Sequence, residues 1–189
     1  MLKLYYTTTT GYNNPQDKIV NSIGGYKSAT AIPNDVMENL FDGISLQMMA
    51  QPKPQYVAIV LVNEGTEVAS NVEMWFDPDP NTVNYCTFQI GAVVMVPNTA
   101  GEMMMEQVDN TYCRPFQTEL HDATVEDKVS IGDMQPGDMI GLWLSRIPQK
   151  TVMWEDYNNV AEKDDTTVNR YKSIVKDTEE TISFQITWE

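Results

Sequence analysis

The chain has 189 residues, of which 42% are hydrophobic, so it can bury a core without disulfides or metals and is not wholly disordered. Its 27 acidic residues outnumber its 12 Lys and Arg residues, and the net charge of −15 repels nucleic-acid phosphates and anionic membranes. We therefore expect one domain with additions, whose partners are basic protein surfaces or cations, with no extensive nucleic-acid contact and no membrane.

The sequence motifs predict no catalytic, cofactor or metal site. The start, MLKLYYTTTT, has no apolar stretch of the kind that signal peptides carry, and no run is long enough to span a membrane. Cys86 and Cys113 are therefore expected to be reduced thiols, with a disulfide as the alternative. His121 adds no zinc-ligand spacing to them and is interpreted as structural or exposed rather than catalytic. We predict that the chain is not an enzyme.

Residues 1–31 contain four consecutive threonines, several glycines and asparagines, and short apolar patches. One interpretation is a flexible tail, and the other is an extended arm that becomes ordered on a neighbouring protein. We favour the arm, and expect its deletion to leave a folded sandwich that no longer joins its assembly. The arm supplies most of the predicted partner-binding residues: Leu4, Tyr5, Tyr6, Ile19, Ile23 and Tyr26.

Residues 32–54 are predicted to be a short helix and a linker. Asn34 or Asp35 can cap a helix that begins after Pro33, and Gly43 is suited to end it. The apolar residues between them recur at helical spacing: Val36, Met37, Leu40, Phe41 and Ile44. Residues 45–50 are a candidate first strand, and two prolines then lead into the domain.

Residues 55–76 are the clearest strand signal in the first half of the chain. The uninterrupted apolar run 56–62 is typical of a strand that is buried on both faces or lies at the centre of a sheet. Val72, Met74 and Phe76 then alternate with polar or aromatic neighbours, which predicts a second strand. A turn around Gly65 separates the two strands, so we expect them to be adjacent in one sheet.

The following segment continues the β pattern. Residues 77–81 form a proline-rich turn whose oxygen donors could hint at Ca²⁺, but their spacing fits no calcium loop, and a solvated turn is preferred. Residues 85–96 predict a strand with a bulge at Gly91. The run 103–105 is interpreted as a strand with one buried face, rather than as a methionine-rich binding surface. Residues 116–120 alternate like a short strand.

The last third predicts three further strands and a long loop. Strands near 129–131 and 139–147 flank a Pro-Gly turn, and residues 181–188 alternate between apolar and polar side chains. The polar stretch 148–180 is predicted to be a functional loop, whose Trp154 and Tyr157 are candidate partner-binding residues. Seven or eight strands in all predict an all-β antiparallel sandwich over residues 55–189.

Two stretches carry a resemblance to immunoglobulin-like domains. The segment VNEGTEVASNVEMWF within residues 57–76 resembles the second and third strands of bacterial and viral immunoglobulin-like domains. The turn at residues 134–138, MQPGD, resembles the Leu-x-Pro-Gly-Glu turn of the same fold, with Met and Asp in place of Leu and Glu. The resemblance implies an immunoglobulin-like sandwich, to which the extended N-terminal arm and the one short helix predicted above are additions.

The wider layout is similar to that of virion proteins of crAss-like tailed bacteriophages. The similarity lies in five short segments, at residues 4–6, 22–26, 32–34, 39–45 and 140–144. It implies a non-enzymatic structural component of the capsid, neck or tail, present in many copies among other virion proteins. Such a protein is assembled in the host cytoplasm and located in the virion.

A carbohydrate-binding or adhesion module, displayed on a virion or cell surface, is the alternative. Sugars stack on aromatic rings, and the chain has four tryptophans: Trp75, Trp143, Trp154 and Trp188. Trp143 and Trp188 lie in predicted strands with a buried face, so we expect those two to be in the core.

Overall fold

The structure is a computed structural model that describes residues 1–33, 40–41, 52–78, 86–148 and 182–189. These residues form eleven strands and a single-turn 3-10 helix, Ile19–Asn21. The strands are β1 Leu2–Thr8, β2 Gly24–Ala31, β3 Gln55–Asn63, β4 Ala69–Pro78, β5 Cys86–Val94, β6 Val96–Pro97, β7 Met103–Gln107, β8 His121–Asp122, β9 Val129–Met134, β10 Met139–Pro148 and β11 Ile182–Thr187. Three predicted segments lie outside the described residues: the helix after Pro33, the candidate strand at 45–50 and nearly all of the loop at 148–180.

The strands form two sheets that pack face to face. The larger sheet has eight strands in the order β6-β7-β2-β1-β3-β10-β5-β8, and the smaller has three in the order β11-β4-β9. Every pairing is antiparallel. The predicted all-β antiparallel sandwich is therefore confirmed.

The core between the sheets follows from the alternation of side chains along each strand. Val57, Ile59 and Leu61 of β3 belong to the same buried cluster as Val72 and Met74 of β4. The other sheet positions in this cluster include Tyr6, Phe76, Ile90, Met134, Leu142 and Leu144. The cluster thus joins the larger sheet to the smaller one.

The larger sheet curls back on itself. Val94 of β5 pairs with Ile140, whereas Val96 of β6, two residues later, pairs with Met104 at the far end of the strand order. Two extended residues span about 7 Å, but the seven strands from β6 to β5 would separate by about 29 Å if they lay flat. The sheet must therefore bend until one continuous segment joins both of its ends.

A second apolar cluster lies on the concave side of this curl. It contains Tyr56, Ala58, Val60 and Val62 from β3, together with Tyr5, Met95, Met105, Val108, Leu120 and Trp143. Alternate residues of β3 therefore face two different cores, which is why all nine of its residues are buried. The prediction of a strand buried on both faces at residues 56–62 is confirmed.

The predicted pairing of the two strands in residues 55–76 is wrong. β3 belongs to the eight-stranded sheet and β4 to the three-stranded sheet, so the chain crosses between the sheets after Asn63. The Asn63 side-chain amide donates hydrogen bonds to the carbonyl oxygens of Glu67 and Met134, both at 2.9 Å. These bonds hold the crossing in place of a hairpin turn.

The N-terminal segment is part of the sheet, not an arm. β1 lies between β2 and β3, with a one-to-one register from Leu2 opposite Asn63 to Tyr6 opposite Ile59. Lys3, Tyr5 and Thr7 alternate with Leu2, Leu4 and Tyr6, a period-two pattern typical of a strand. The buried Thr7 and Ser22 hydroxyls each donate to the Ala58 carbonyl oxygen, at 3.2 Å and 2.6 Å. Polar residues that suggested flexibility therefore bind backbone groups inside the sheet.

Two local predictions are also corrected. Gly91 pairs regularly with Trp143, so it forms no bulge. It is needed because a Cβ there would overlap the Glu119 carbonyl oxygen and lie 2.6 Å from the Thr118 Cγ2 atom. Residues 116–120 form no strand, and the strand of this segment is the following pair, His121–Asp122, which pairs with β5. The predicted strands at 103–105, 129–131, 139–147 and 181–188 are all present, although several bounds differ.

Candidate functional site

The structure uses most of the predicted partner-binding residues inside the domain. Tyr5, Tyr6 and Ile19 are buried. Leu4 packs against the core between the sheets, and Ile23 packs against the concave core. Tyr26 is half-buried and its hydroxyl accepts a 3.1 Å hydrogen bond from the Asn98 amide. Trp154 and Tyr157 lie outside the described residues. These N-terminal side chains therefore offer little apolar surface to a partner.

The most exposed aromatic side chains lie on the connection between β7 and β8. We call residues 109–117 the aromatic loop. Phe116 is 94% exposed and Tyr112 is 52% exposed, the largest values for aromatic side chains among the described residues. An isolated exposed apolar residue needs no special explanation. Two exposed aromatic residues on one loop indicate a contact surface if the loop backbone is held in place, because the loop cannot then fold back and bury them against the protein.

The loop is anchored to the domain at its beginning. The backbone N–H of Val108 donates to the Ile23 carbonyl oxygen at 3.0 Å. The Tyr56 N–H, at the start of β3, donates to the Thr111 carbonyl oxygen at 2.6 Å. Val108, Pro115, Thr118 and Leu120 are buried, so the residues around the exposed aromatics are fixed by packing.

Glu106 fixes the end of the loop that carries Phe116. Its two carboxylate oxygens accept hydrogen bonds from the backbone N–H groups of Phe116, at 2.6 Å, and Gln117, at 2.9 Å. Hydrogen bonds to an ionised carboxylate are stronger than neutral ones. Asn110 holds the part of the loop that carries Tyr112, because its side-chain oxygen accepts a 2.9 Å hydrogen bond from the Tyr112 N–H. The backbone from which both aromatic side chains project is therefore held in place.

The aromatic loop lies in an acidic stretch of the chain. Residues 102–122 contain five carboxylates, at Glu102, Glu106, Asp109, Glu119 and Asp122, and one guanidinium, at Arg114. Five negative charges and one positive charge give a local charge of −4, with His121 counted as neutral. A partner with an apolar pocket and a basic rim complements this surface.

A second candidate surface is the side of the three-stranded sheet that faces away from the core. Trp75 lies opposite Gln185, and Glu73 lies opposite Thr187, so these side chains share one face. The Lys128 ammonium lies 4.4 Å from the centre of the Trp75 ring and 3.1 Å from a Glu73 carboxylate oxygen. The Trp75 indole N–H is buried without a hydrogen-bond partner. An aromatic ring among polar side chains is the arrangement that sugars bind.

The four tryptophans that were candidates for sugar stacking lie in different environments. Trp143 is fully buried in the concave core and is not available to a ligand. Trp188 is 46% exposed at the end of the smaller sheet, so the expectation that it is a core residue is wrong. Trp75 is half-buried, and Trp154 lies outside the described residues.

A polar network closes one end of the concave core. The Tyr5 hydroxyl donates to a Glu64 carboxylate oxygen, and the other Glu64 oxygen lies 3.5 Å from the Lys3 ammonium. The Lys27 ammonium lies 4.0 Å from the centre of the Tyr5 ring. The hydrogen bond from Tyr5 holds the pKa of Glu64 below its ordinary value, and burial raises the pKa of Tyr5. The network joins β1 to the β3–β4 connection and has a structural role.

The described residues offer no reactive cluster. His121 is exposed on β8, and within the described ranges no three or more His, Cys, Asp or Glu residues are arranged to hold a metal. Cys86 is buried, Cys113 is half-buried and both are free thiols. Buried Arg146 donates to the Gln55 side-chain oxygen and lies 5.1 Å from the Phe41 ring. In the part of the chain that the structure covers, no helix has the length and apolar character needed to cross a membrane.

Comparison of the chain with protein-family models, with curated proteins and with solved structures finds no match.

The aromatic loop was missed by sequence reasoning, which placed Phe116 in a strand. Two features of the sequence could have indicated a loop. Pro115 cannot donate a hydrogen bond to a strand ladder, and no turn sequence separates residue 116 from residue 122. Neither signal indicates that Glu106, ten residues earlier, binds the loop.

Proposed function

We propose that this protein is a non-enzymatic structural component of a tailed-phage virion, in the capsid, neck or tail, and that it contacts a neighbouring protein through the aromatic loop. The observation that carries the contact is Phe116, which is almost fully exposed while Glu106 fixes its backbone. The virion assignment rests on the resemblance of the short segments at residues 4–6, 22–26, 32–34, 39–45 and 140–144 to crAss-like phage proteins.

The strand arrangement supports the immunoglobulin-like part of this proposal. An immunoglobulin constant domain has strands A, B, E and D in one sheet and strands C, F and G in the other, where C pairs with F. Here β1, β3, β10 and β5 are neighbours in that order, and β4 pairs with β11. In chain order β1, β3, β4, β5, β10 and β11 then correspond to A through F. β2 and β6–β9 are additions to this plan.

The loop has the physical properties of a pre-organised contact. Full burial of a Phe side chain stabilises a complex by about 1.5–3 kcal/mol before the costs of association. Because Glu106 and the buried flanking residues already fix the backbone of the loop, little backbone entropy remains to be lost on binding. The acidic surroundings favour a basic partner and disfavour other copies of the same loop.

Incorporation into particles tests the contact. Phe116→Ser is expected to fold normally, because the side chain has no burial to lose, and to be strongly depleted from purified virions in a complementation assay. Val125→Ser is the matched control, since Val125 is 51% exposed outside the loop. Glu106→Gln leaves Phe116 in place but weakens its anchor, and should give an intermediate depletion. Equal occupancy of all three variants would remove the loop from the proposal.

The virion assignment has its own test. Peptides of this chain should be found by mass spectrometry in gradient-purified particles of the phage that encodes it, and antibodies should label the particles in electron micrographs. If the protein is abundant in infected cells but absent from purified particles, it is not a virion component.

Carbohydrate binding is a second candidate, favoured by the Trp75 face of the smaller sheet. Trp75, Gln185 and Glu73 are half-buried and together provide a ring and hydrogen-bonding groups on one face of the sheet. The Lys128 ammonium occupies the ring face in the structure, so a sugar would have to displace it. Glycan-array binding that disappears in Trp75→Ala and persists in Phe116→Ser would favour this function.

A further inference from the structure

Four strands lie at sheet edges among the described residues: β6, β8, β9 and β11. Edge strands expose unpaired backbone groups, and natural proteins usually protect them by shortness, proline, charge or bulges. β6 has two residues and ends at Pro97, and β8 also has two residues. β9 carries Asp133 and has two register shifts against β4. Three of these four edges are therefore protected.

Within the described ranges, β11 has none of these protections. It pairs with β4 in a regular register over six residue pairs, from Ile182 opposite Pro78 to Thr187 opposite Glu73. The sequence of residues 182–188, ISFQITW, contains no charged residue and no proline. A regular, uncharged strand of this length at an edge is a site for pairing with another strand.

The hydrogen bonds of the ladder show which backbone groups of β11 face outward. The Phe76 N–H donates to the Ala123 carbonyl oxygen, away from β11, so Phe76 and its partner Phe184 form a non-hydrogen-bonded pair. Ser70 and Glu189, at the end of the ladder, bond each other in both directions, at 3.0 Å and 2.9 Å. Because the pattern alternates, Gln185 and Thr187 bond β4, whereas the N–H and C=O groups of Phe184 and Ile186 point to the open edge.

The side chains at this edge are also incompletely covered. Phe184 and Ile186 pack against the core but are only partly buried, and Trp188 is about half exposed. Val72 and Met74 on the neighbouring strand are fully buried by comparison. A further strand beside β11 would cover the apolar side chains and pair the outward backbone groups together.

We infer that β11 pairs antiparallel with β11 of a second copy of this chain, about a two-fold axis through Gln185. This register overlaps all of residues 182–188 and places Phe184 opposite Ile186 of the partner subunit, an aromatic–aliphatic pair across the interface. The outward groups of Phe184 and Ile186 then bond each other. Because the segment carries no charge, two chains of net charge −15 approach there without opposed carboxylates. The two smaller sheets become one six-stranded sheet.

The inference concerns the isolated protein and does not depend on a virion role. Sedimentation equilibrium of the purified full chain, over a range of concentrations, should show a monomer–dimer equilibrium. Gln185→Lys and Gln185→Glu each place like charges opposite each other on the axis, and each should weaken self-association about fivefold. An equimolar mixture of the two variants should restore it. Ser130→Lys, on the opposite edge of the same sheet, is the matched control and should associate like the wild type.

A backbone variant tests the pairing itself. Ile186→Pro removes an N–H that faces the open edge and leaves the β4 ladder its hydrogen bonds, so dimerisation should be lost while the circular dichroism spectrum is retained. Any of three results would overturn the inference: the wild type is monomeric, the dimer is insensitive to charge at Gln185, or mixing the two charge variants does not restore association. The charge variants decide the question if the proline variant does not fold.

Discussion

The side-chain amide of Asn63 donates a 2.9 Å hydrogen bond to the carbonyl oxygen of Met134, which joins the last residue of β3 to the last residue of β9. The same amide donates to the Glu67 carbonyl oxygen, and the Asn63 side-chain oxygen accepts from the Gly65 N–H at 2.9 Å. Asn63 is fully buried. One side chain therefore satisfies three backbone groups where the chain passes from the larger sheet to the smaller one.

Replacement of Asn63 by Leu should destabilise the protein by about 2–4 kcal/mol, because it leaves buried backbone groups without partners. Urea denaturation followed by tryptophan fluorescence measures the change. Asn14→Ala is the matched control: Asn14 is exposed and donates to the Thr10 carbonyl oxygen, so its loss should cost no more than about 0.5 kcal/mol. Equal effects of the two substitutions would show that the Asn63 bonds are not important.

Two glycines of the curled sheet should differ in their tolerance of a methyl group. A Cβ at Gly91 meets the Glu119 carbonyl oxygen, which is backbone and cannot move easily. A Cβ at Gly141 lies 2.9 Å from both the Met105 sulfur and a Val93 methyl carbon, which are side-chain atoms that can shift. We expect Gly91→Ala to cost about 2–3 kcal/mol and Gly141→Ala about 1 kcal/mol. The reverse order in thermal melts would contradict the packing of residues 118–120 over β5.

Individual strands could be predicted where the hydrophobic pattern alone identifies them. The apolar run at 56–62 predicted double-sided burial, and the alternation at 181–188 predicted β11. Sheet membership could not be predicted, since Asn63 looks like a turn residue whether the next strand forms a hairpin or crosses to the other sheet. Composition misled at residues 1–31, because glycines and threonines that suggest flexibility are also compatible with strands that contain bulges.

The candidate site depends on contacts between residues that are far apart in sequence, and these leave no local pattern. The position of Phe116 is set by a hydrogen bond to the Glu106 carboxylate, ten residues earlier, and by the buried neighbours Pro115 and Thr118. The open edge of β11 depends on which strand pairs with β4 on each side. The uncharged sequence of β11 was visible, but its position at an edge was not.

The Glu64 network predicts a dependence of stability on acid. Because the hydrogen bond from Tyr5 lowers the pKa of Glu64 in the folded state, the carboxylate contributes stability above its ordinary pKa of 4.5. That contribution is lost as the pH falls through the folded-state pKa, which lies below 4.5. Glu64→Gln should lower the melting temperature at pH 7 and bring it closer to that of the wild type as the pH falls below about 4. Glu67→Gln, three residues away and exposed, serves as the control, and a variant difference that is constant with pH would contradict the assignment.

Deletion of the N-terminal strands distinguishes the structure from the arm that the sequence suggested. An arm can be removed without loss of the fold, whereas β1 lies between β2 and β3. Removal of residues 1–31 would expose one whole side of β3, the most buried strand, and would take Tyr5 and Tyr6 from the two cores. It would also remove the Ser22 hydroxyl that donates to Ala58.

We therefore expect the truncated protein to be insoluble, or to lack the cooperative thermal transition and the dispersed NMR spectrum of the full chain. Substitution of Ile59 by Asp should have a similar effect from within, because a fully buried, unpaired carboxylate costs several kcal/mol. The control is Val20→Ser, which alters an exposed side chain inside the deleted segment and should leave folding intact. A truncated chain that melts cooperatively near the wild-type temperature would show that residues 1–31 are dispensable to the fold, and that β3 can tolerate an open side.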